Sequence, residues 1–517
     1  MERIIVGIVS KLRFAANALI PINRLPPEIL CEVFFHFRPV IKRGSEQPQS
    51  GSRPFEDLLA ITHTCHLWRI TAIGAADLWS QLIARDPRKN MDDMIRLFIN
   101  RSGDLPLDAD LGYGSEVVTP YTDRLRTLTC RGDAICHLGS RAAPSLETLY
   151  IHSRDYFYFE SPPLPTLFNR DSPSLRELVV SGRNPLTNNR FRNLSCFRLQ
   201  LTPGNAGPTF WTPLLATLRD CPQLEELFLR FSAIHDYPLL AQDTPTPATL
   251  HTLRKLHLHG IPSSLTRWFM NSVNFAPNGI AMQFTNIVPE FDWLFPPALP
   301  LELSPHAVTS LEIVYGSSRE FIMQGTNPGM QIRVAVASGL DAIHGEIFSH
   351  LARQTNPQSP LRELWIHIER EEEYRFTSLS QFQQLKKLVV RVTTNRNHIC
   401  RLLRMLDIKG CPPCPLLSTL DLSGILGVDL LLKVLKARSK VGCRLERLRL
   451  GKAHILVEDI VRSRVQDYVD ELEIFDVDAE PCGMELPAVC ATELGEWWKP
   501  WTKRHRFEWP TDSQYPQ

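Results

Sequence analysis

Two pairs of residues have the types and the spacing that could bind a metal ion. Cys411 and Cys414 are separated by two prolines, which is the spacing of a zinc-binding pair, but the chain has no second pair at a workable distance. His257 and His259 alternate along a short apolar stretch, with no carboxylate or third ligand beside them. Two neighbouring histidines alone rarely bind a metal tightly. We therefore predict no metal site and no cofactor.

Residues that could perform catalysis form no recognisable motif. The chain lacks a phosphate-binding glycine loop, a nucleophile elbow, and a histidine pair flanking a glutamate. We therefore expect that the protein is not an enzyme.

The net charge and the apolar runs of the chain limit the kinds of partner that we expect it to bind. The 517 residues have a formal net charge of +1, whereas a nucleic-acid-binding protein usually carries a broad cationic field. No apolar run approaches the roughly 20 residues that span a bilayer. We expect no nucleic acid and no membrane among the partners. The 12 cysteines, in a chain of this length, indicate a reduced protein rather than a disulfide framework, so we expect a cytoplasmic or nuclear location, or both.

A short repeated pattern organises most of the chain. The pattern is apolar-x-x-apolar-x-apolar, and it recurs from Leu125 to Ile474, with many copies about 20 to 30 residues apart. The alternating apolar residues indicate a strand with one buried face, and stacked copies would bury these faces in a continuous parallel sheet. Periods of this length are typical of leucine-rich repeats, and the sequence resembles an irregular member of that class.

The stretches between the strands predict the rest of the array. Residues 213–219 and 428–435 have apolar residues at helical spacing and predict returning helices. Two gaps of double length contain candidate strands at residues 280–284 and 332–336. The fold class is therefore α/β, with a leucine-rich-repeat solenoid made of a curved parallel sheet and outer helices. After the last strand, Trp497, Trp498, Trp501 and Trp509 predict a cap on its exposed edge.

Side chains that alternate with the buried strand residues should face the concave surface of such an array. Aromatic residues, histidine and arginine are frequent there, and these types often anchor protein interfaces. Arg391 and Arg449 could pair with acidic or phosphorylated groups. A mixed column of this kind also occurs without any binding role, and that alternative stays open. The candidate contacts for an unidentified protein partner are Tyr150, His152, Arg198, Phe228, Arg230, His257, His259, Trp365 and His367.

The residues before the repeats predict a weakly amphipathic lead-in helix and then a small helical module. Pro26 and Pro27 suit the first turn of a helix, and apolar residues then follow on one stripe up to Phe37. Residues 58–72 place further apolar residues on one helical face. The module carries more apolar surface than about sixty residues can bury alone.

Three motifs carry a resemblance to a known family. They are Leu-Pro-Pro-Glu-Ile-Leu at residues 25–30, Thr64-Cys65 followed by Trp68-Arg69, and Leu78-Trp79. In these motifs the chain resembles an F-box, and with its repeats it is similar to the F-box/leucine-rich-repeat proteins of mushroom-forming (basidiomycete) fungi. The resemblance implies that the module docks on the Skp1 adaptor of a cullin-RING ubiquitin ligase, while the repeats recruit a protein substrate.

The resemblance also assigns residues and domains. The sequence departs from the family at His66 and Leu67, which replace a basic pair, and in the long stretch from Val40 to Phe55. The implied domains are a lead-in segment (1–21), the F-box (22–82), the solenoid (91–475), and a C-terminal cap and tail (476–517). The implied Skp1-binding residues are Leu25, Pro26, Ile29, Leu30, Val33, Phe34, Leu58, Cys65, Trp68, Leu78 and Trp79.

In family terms the protein is the substrate-recognition subunit of an SCF-type (Skp1-cullin-F-box) E3 ubiquitin ligase. It contributes proximity, because an E2 enzyme held elsewhere in the complex transfers ubiquitin. Two other classes stay open. One is a non-ligase protein-binding scaffold with a structural or vestigial F-box. The other is an enzyme with an unrecognised site, which would need a deep polar pocket that solenoids seldom form.

Overall fold

The computed structural model of the chain has an α/β architecture, with a small N-terminal helical region and parallel strands after it. Its two compact units are residues 1–224 and 225–517. The described residues are 2–38, 55–84, 91–112, 115–131, 134–138, 141–152, 164–182, 184–186, 188–201, 208–231, 246–261, 263–275, 280–285, 308–315, 319–325, 331–336, 361–368, 379–392, 396–407, 412–424, 428–451, 458–476, 484, 486, 488–491 and 497–498.

Four helices form the N-terminal region of the first unit. They are α1 (Glu2–Ala18), α2 (Pro27–Phe35), α3 (Glu56–Thr64) and α4 (His66–Gly74), with 3-10 turns at Pro21–Arg24 and Ala76–Trp79. The single helical face predicted for residues 58–72 is wrong, because Cys65 has an extended backbone (φ −155°, ψ 171°) that separates α3 from α4. The Cys65 Sγ accepts a hydrogen bond from the Trp68 N–H at 3.5 Å, which caps the start of α4.

These helices pack around a small apolar core. The Phe34 ring of α2 lies 5.2 Å from the Trp68 ring of α4, measured between centroids. Trp68 Nε1 donates a hydrogen bond of 2.6 Å to Asn23 Oδ1, so the turn before α2 is tied to α4. Arg38 Nη2 donates to Ser80 Oγ at 2.7 Å, which joins the end of α2 to the start of the first strand.

Six parallel strands complete the sheet of the first unit, and each pairs with the next in sequence. The first of them was not predicted, and the predicted domain boundary at residue 82 falls inside it. A helix, α5 (Asp92–Arg101), leads from the first strand to the second, and α6 (Pro208–Arg219) follows the sixth, as the spacing of residues 213–219 predicts. The strands are β1 (Gln81–Ala84), β2 (Leu107–Leu111), β3 (Leu125–Arg131), β4 (Thr148–His152), β5 (Glu177–Ser181) and β6 (Cys196–Leu201).

The second unit contains two runs of parallel strands. In the first run, β7 (Glu226–Phe231) pairs with β9 (Lys255–His259), and β9 pairs with β11 (Ala281–Thr285). Beside it, β8 (Ala248–Leu250) pairs with β10 (Val273–Phe275) in a separate two-stranded sheet. The second run pairs in sequential order and consists of β15 (Glu363–Ile368), β16 (Lys387–Val392), β17 (Thr419–Ser423), β18 (Leu445–Gly451) and β19 (Val469–Phe475).

Between the two runs, the strands are antiparallel and their order is reversed. They are β12 (Val308–Tyr315), β13 (Arg319–Gly325) and β14 (Gln331–Val336). β12 pairs antiparallel with β13, and β13 pairs antiparallel with β14. β14 then pairs in parallel with β11, and β12 pairs in parallel with β15. The strands predicted at 280–284 and 332–336 are therefore present, but the sequential parallel stacking predicted for this stretch is wrong.

Among the residues described for the second unit, four helices return between the strands, and a short fifth helix follows the last strand. They are α7 (Ser263–Asn271), α8 (Arg396–Leu406), α9 (Val428–Lys440), α10 (Glu458–Val465) and a short α11 (Ala488–Ala491). Arg438 of α9 is 1% exposed, and its guanidinium donates hydrogen bonds to the carbonyl oxygens of Pro413, Cys414 and Leu417. These bonds fix the turn that leads into β17. No helix in the described part of the chain combines the length and the apolarity needed to cross a bilayer.

Candidate functional site

The N-terminal helical region exposes apolar side chains at three positions of the first family motif. Leu25 is 36% exposed and Ile29 is 47% exposed, and Pro26 is exposed as well. Pro26 precedes α2, and Ile29 lies in its first turn, so the entry to this helix is apolar and open to solvent.

Five other residues of the implied adaptor site lie in the core of the first unit. For Leu30 and Phe34 this corrects the assignment to the Skp1-facing side of the helix, because a side chain without exposed surface cannot touch a partner in this arrangement. For Leu58, Leu78 and Trp79, which were expected in the core or in the interface, the structure gives the core. The buried residues are Leu30, Phe34, Leu58, Leu78 and Trp79. Val33, Cys65 and Trp68 are half-buried. Trp79 illustrates how these residues are held in the core. Its ring packs against the Phe98 ring of α5, with 4.9 Å between the centroids, and its Nε1 donates a hydrogen bond to the Ala72 carbonyl oxygen.

Three further apolar residues of the same region are exposed, of which the sequence analysis had named only Phe37, as the end of the apolar stripe of α2. Phe37, just after α2, is 46% exposed, and Ile70 and Ile73 of α4 are 52% and 41% exposed. The spacing of Ile70 and Ile73 by three residues places them on one side of α4. This spacing can be read from the sequence, but Ile70 and Ile73 lie outside the apolar stripe formed by the buried residues and were therefore not selected as site residues. We refer to these three residues together with Leu25 and Ile29 as the N-terminal apolar patch.

The alternating residues of the first unit align across neighbouring strands as predicted. Tyr150 of β4 is in register with Val179 of β5, and Val179 is in register with Arg198 of β6. The Tyr150 hydroxyl donates to Glu177 Oε1 at 3.0 Å, and Arg198 Nη1 lies 3.4 Å from the same oxygen. Tyr150 is buried, which differs from its predicted role as an exposed anchor.

The remaining candidates of the first unit, His152 and Arg198, are half-buried. They therefore keep some surface that a partner can contact. The structure brings Tyr150 and Arg198 together through Glu177, whereas His152 lies two residues further along β4.

The alternating residues of the second unit also align. Phe228 is in register with His257, and Trp365 is in register with Glu312 and with Val389. His257 is followed in register by Gln283 of β11, a buried residue that the sequence analysis missed because its strand is degenerate. Phe228, His257, Trp365 and His367 are buried, so their predicted exposure is wrong, while Arg230 and His259 are half-buried.

The face that carries Phe228 and His257 is covered by the C-terminal segment of the same chain, by which we mean Met484, Leu486, Ala488–Ala491, Trp497 and Trp498. The Trp498 ring is fully buried and lies 5.8 Å from the Phe228 ring and 6.4 Å from the His257 ring. Trp497 also contributes, because its carbonyl oxygen lies 2.8 Å from His257 Nδ1.

This placement corrects the predicted cap. The cap was predicted on the edge of the last strand, whereas Trp497 and Trp498 contact β7 and β9. At the start of the segment, the Met484 N–H donates to Glu312 Oε2 of β12 at 3.0 Å. Glu312 also lies 3.2 Å from His367 Nε2. Trp501 and Trp509 lie outside the described residues.

A chain of hydrogen bonds fixes the tautomers of the two histidines of β9. The Trp497 carbonyl only accepts, so His257 Nδ1 carries the proton and His257 Nε2 accepts from the Thr285 hydroxyl at 2.8 Å. Thr285 Oγ1 then accepts from His259 Nδ1 at 2.8 Å. Removal of water from around the His259 ring, followed by the charges of Arg230 and His257, holds the pKa of His259 well below its ordinary 6.5.

The arginines proposed to bind acidic groups already contact carboxylates of the chain itself. Arg449 Nε and Nη2 form two hydrogen bonds with Glu473, at 2.9 and 3.0 Å, and Nη1 forms a third with Asp421 at 2.9 Å. Arg391 lies 3.6 Å from Asp421, and both arginines stack on the Phe475 ring. The hydrogen bond from Arg449 lowers the pKa of Glu473 below its ordinary 4.5. This cluster ties β16 to β19.

In the part of the chain that the structure describes, no group of three or more His, Cys, Asp or Glu residues is arranged as metal ligands. Cys414 is buried, and burial raises the pKa of its thiol to about 12, although the charge of Arg438 acts in the opposite direction. Its Sγ donates to the Leu379 carbonyl oxygen at 3.2 Å. Cys414 is therefore a structural thiol, whereas Cys411 lies outside the described residues.

Comparison with known proteins adds no assignment. No protein-family model matches the chain, and no curated protein matches it either.

Proposed function

We propose that the protein is a non-catalytic receptor subunit of an SCF-type ubiquitin ligase. In this proposal the N-terminal helices are an F-box that docks on the Skp1 adaptor, and through it on a cullin-RING ligase. The repeated strands are an irregular leucine-rich-repeat array that recruits a protein substrate. The support consists of the motif resemblance at residues 25–30, 64–69 and 78–79, and of the surface that the helices leave open.

The observation that carries the proposal is the distribution of exposed apolar side chains. Among the described residues after α1, all large apolar side chains with substantial exposure lie between Leu19 and Ile73, except Leu416 and Val441. Exposed apolar side chains that are concentrated in one region often mark a site that a partner covers. The N-terminal apolar patch therefore supports a docking role for the helical region.

Burial of the patch contributes to docking on a partner, but it does not supply the whole binding free energy of a stable complex. Full burial of one large aliphatic or aromatic side chain contributes about 1.5–3 kcal/mol. The five patch residues are between 36% and 52% exposed, so covering them contributes about 5 kcal/mol in total. A stable adaptor complex thus needs further contacts from the adaptor side and from the surrounding polar residues.

The test of docking is co-purification of the full chain with Skp1 from a mushroom-forming fungus. Leu25→Glu combined with Ile29→Glu places two charges in the contact, and we expect at least a hundredfold weaker binding. The matched control combines Leu416→Glu with Val441→Glu, because both leucine and valine are 48% exposed and lie outside the helical region. Circular dichroism checks that each variant is folded. Equal recovery of Skp1 with both variants would contradict the proposal.

The recruiting role of the array rests on residues that keep exposed surface. His152, Arg198, Arg230 and His259 are half-buried, whereas the aromatic residues first assigned to this role are covered. We propose that the recruited protein contacts these half-buried polar side chains and not the covered aromatic residues. Proximity labelling with and without proteasome inhibition should identify this protein, since a substrate accumulates in the labelled set only when degradation is blocked.

A second candidate function is a protein-binding scaffold outside any ligase. The burial of Leu30, Phe34, Leu78 and Trp79 favours it, because these residues are explained by a structural role alone. Recovery of a cullin with the Skp1 complex supports the ligase receptor. Recovery of Skp1 without a cullin supports the scaffold.

A further inference from the structure

The lead-in helix α1 leaves its apolar side uncovered along its whole length. Ile4, Ile5, Ile8 and Leu12 are between 55% and 68% exposed, Val9 is 39% exposed, and Leu19, just after the helix, is 70% exposed. At 3.6 residues per turn these residues fall within one arc of about 140°. An arc of this width on a helix about 25 Å long is a large apolar surface for a part of the chain that is in water.

The contacts of α1 show which side faces the rest of the chain. The Phe14 ring lies 6.3 Å from the His66 ring at the start of α4. Ile5 and Phe14 are nine residues apart, or about two and a half turns, so they lie on opposite sides of the helix. The ring contact with the helical region is therefore made from the side of α1 opposite to Ile5, and the arc points away from it. Val6 and Phe14, outside the arc, are also 59% and 60% exposed.

Charge decides which partner fits the arc. Lys11 borders the arc next to Ile4, and Arg13 borders it on the other side next to Val9. The sequence of α1 contains one further basic residue and a single acidic residue. A row of aliphatic side chains between two basic borders matches the boundary between lipid headgroups and acyl chains, because the apolar side enters the bilayer while the cations contact anionic headgroups.

A second copy of the chain fits less well. Ile5, Ile8 and Leu12 follow the three-four spacing of a coiled coil. In a coiled coil, the residues that flank the apolar seam pair between the two helices and often carry opposite charges. Here these pairs would be Ile4 with Val9 and Lys11 with Ala16, and neither pair carries opposite charges. The net positive charge of α1 also repels another copy of α1, whereas an anionic surface attracts it.

We propose that α1 is a docking element for anionic membrane surfaces, lying in the plane of the bilayer with the arc from Ile4 to Leu19 inserted. This is a peripheral contact and differs from the spanning helix excluded above. It also replaces the expectation of no membrane partner that the sequence alone supported. Because it uses α1 and not the N-terminal apolar patch, it is independent of the proposed adaptor docking.

The experiment is cosedimentation of the full chain with vesicles. One set contains phosphatidylcholine with about 30% phosphatidylserine, and the other contains phosphatidylcholine only. Each basic residue near an anionic surface contributes about 1 kcal/mol, or about fivefold in affinity. We therefore expect binding to the anionic vesicles that is at least tenfold tighter than to neutral vesicles and that weakens when salt is raised.

The variant that tests the arc combines Ile8→Glu with Leu12→Glu, which are exposed positions that folding does not require. We expect it to lose vesicle binding at least a hundredfold. The control that combines Leu416→Glu with Val441→Glu has the same charge change and should bind as the wild type does. The proposal is overturned if the chain does not bind anionic vesicles, or if the Ile8 and Leu12 variant binds them equally well. Light scattering adds one further decisive outcome: a dimer that the same variant dissociates, without any vesicle binding, would identify a second copy as the occupant.

Discussion

Replacing Trp498 with alanine should release the C-terminal segment from the second unit while the strands stay folded. The indole is fully buried against Phe228 and His257, and the Lys255 ammonium lies 5.9 Å from its ring centroid. A buried tryptophan removes about 200 Å² from water, which corresponds to about 5 kcal/mol at about 25 cal/mol per Å². Large-to-small changes of buried tryptophan measure about 3–5 kcal/mol.

The indole is the largest fully buried side chain of the C-terminal segment. Met484, Cys490 and Trp497 are also buried, and two hydrogen bonds, of Trp497 with His257 and of Met484 with Glu312, add about 1 kcal/mol each. Ordering the backbone of the segment opposes these contributions at about 1–2 kcal/mol per residue. Removal of the indole therefore takes away the largest single contribution to the attachment of the segment.

Limited proteolysis and dye binding measure this release. The Trp498→Ala chain should be cleaved within the C-terminal segment at least tenfold faster than the wild type, and it should bind a hydrophobic dye because Phe228 becomes exposed. Trp365→Ala is the matched control, since Trp365 is a buried tryptophan of strand β15. That variant should lower the urea midpoint of the second unit without faster cleavage of the segment. Wild-type protease resistance of the Trp498→Ala chain would refute the reasoning.

Three further predictions concern stability. Gly260→Ala should destabilise by more than 2 kcal/mol, because Gly260 has φ +66° and an added Cβ would lie 2.2 Å from the Phe231 carbonyl oxygen; Gly103→Ala, at φ +57° with no atom within 4 Å, should cost only about 1 kcal/mol in the same urea titration. The lowered pKa of His259 means that the unfolded chain binds more protons than the folded one below about pH 6.5. The contribution of neutral His259 to the free energy of unfolding is therefore complete above that pH, and it is lost as the pH falls towards the lowered pKa. His259→Gln should reduce the difference in urea midpoint between pH 7.5 and 5.5. An unchanged difference would contradict the lowered pKa of His259. Arg438→Met should destabilise the second unit by about 1–3 kcal/mol, because the three carbonyls lose their donors; a neutral result in urea would show that the cost of burying the charge offsets these bonds.

The register of the strands could be predicted from the sequence because it depends only on local alternation. Tyr150, Val179 and Arg198 were aligned by their place in the repeated pattern, and the same residues are in register in the sheet. Each one-residue slip would turn the apolar residues to the wrong face, so the pattern fixes the pairing strongly.

The exposure of the same residues could not be predicted because it depends on a distant part of the chain. His257 is covered by Trp497, which is 240 residues further along the sequence. The tryptophans themselves indicated a covering role, but their composition does not say which strands they cover. The reversal of β12 to β14 escaped prediction for a related reason, since period-two alternation is the same in parallel and antiparallel strands.

In the helical region, the existence of the helices followed from the apolar spacing, whereas the division into core and surface did not. Leu30 and Ile29 are neighbours with the same chemistry, yet one is buried and the other is 47% exposed. Which of them faces inward depends on how α2 packs against α4. The contact of Phe34 with Trp68 is part of that packing, which cannot be predicted from the local sequence pattern.

The reversed strands have a consequence for synthesis on the ribosome. An array of sequentially stacked repeats can grow one repeat at a time as the chain emerges. β11 ends at Thr285, but its next neighbour, β14, begins only at Gln331, after β12 and β13 have been made. Nascent chains that stop between these positions hold an unpaired strand edge, which is a site of aggregation and of chaperone capture. The length of this waiting period is set by the rate of translation through β12 and β13, so synonymous codon changes there should alter the yield of folded protein without altering a single side chain.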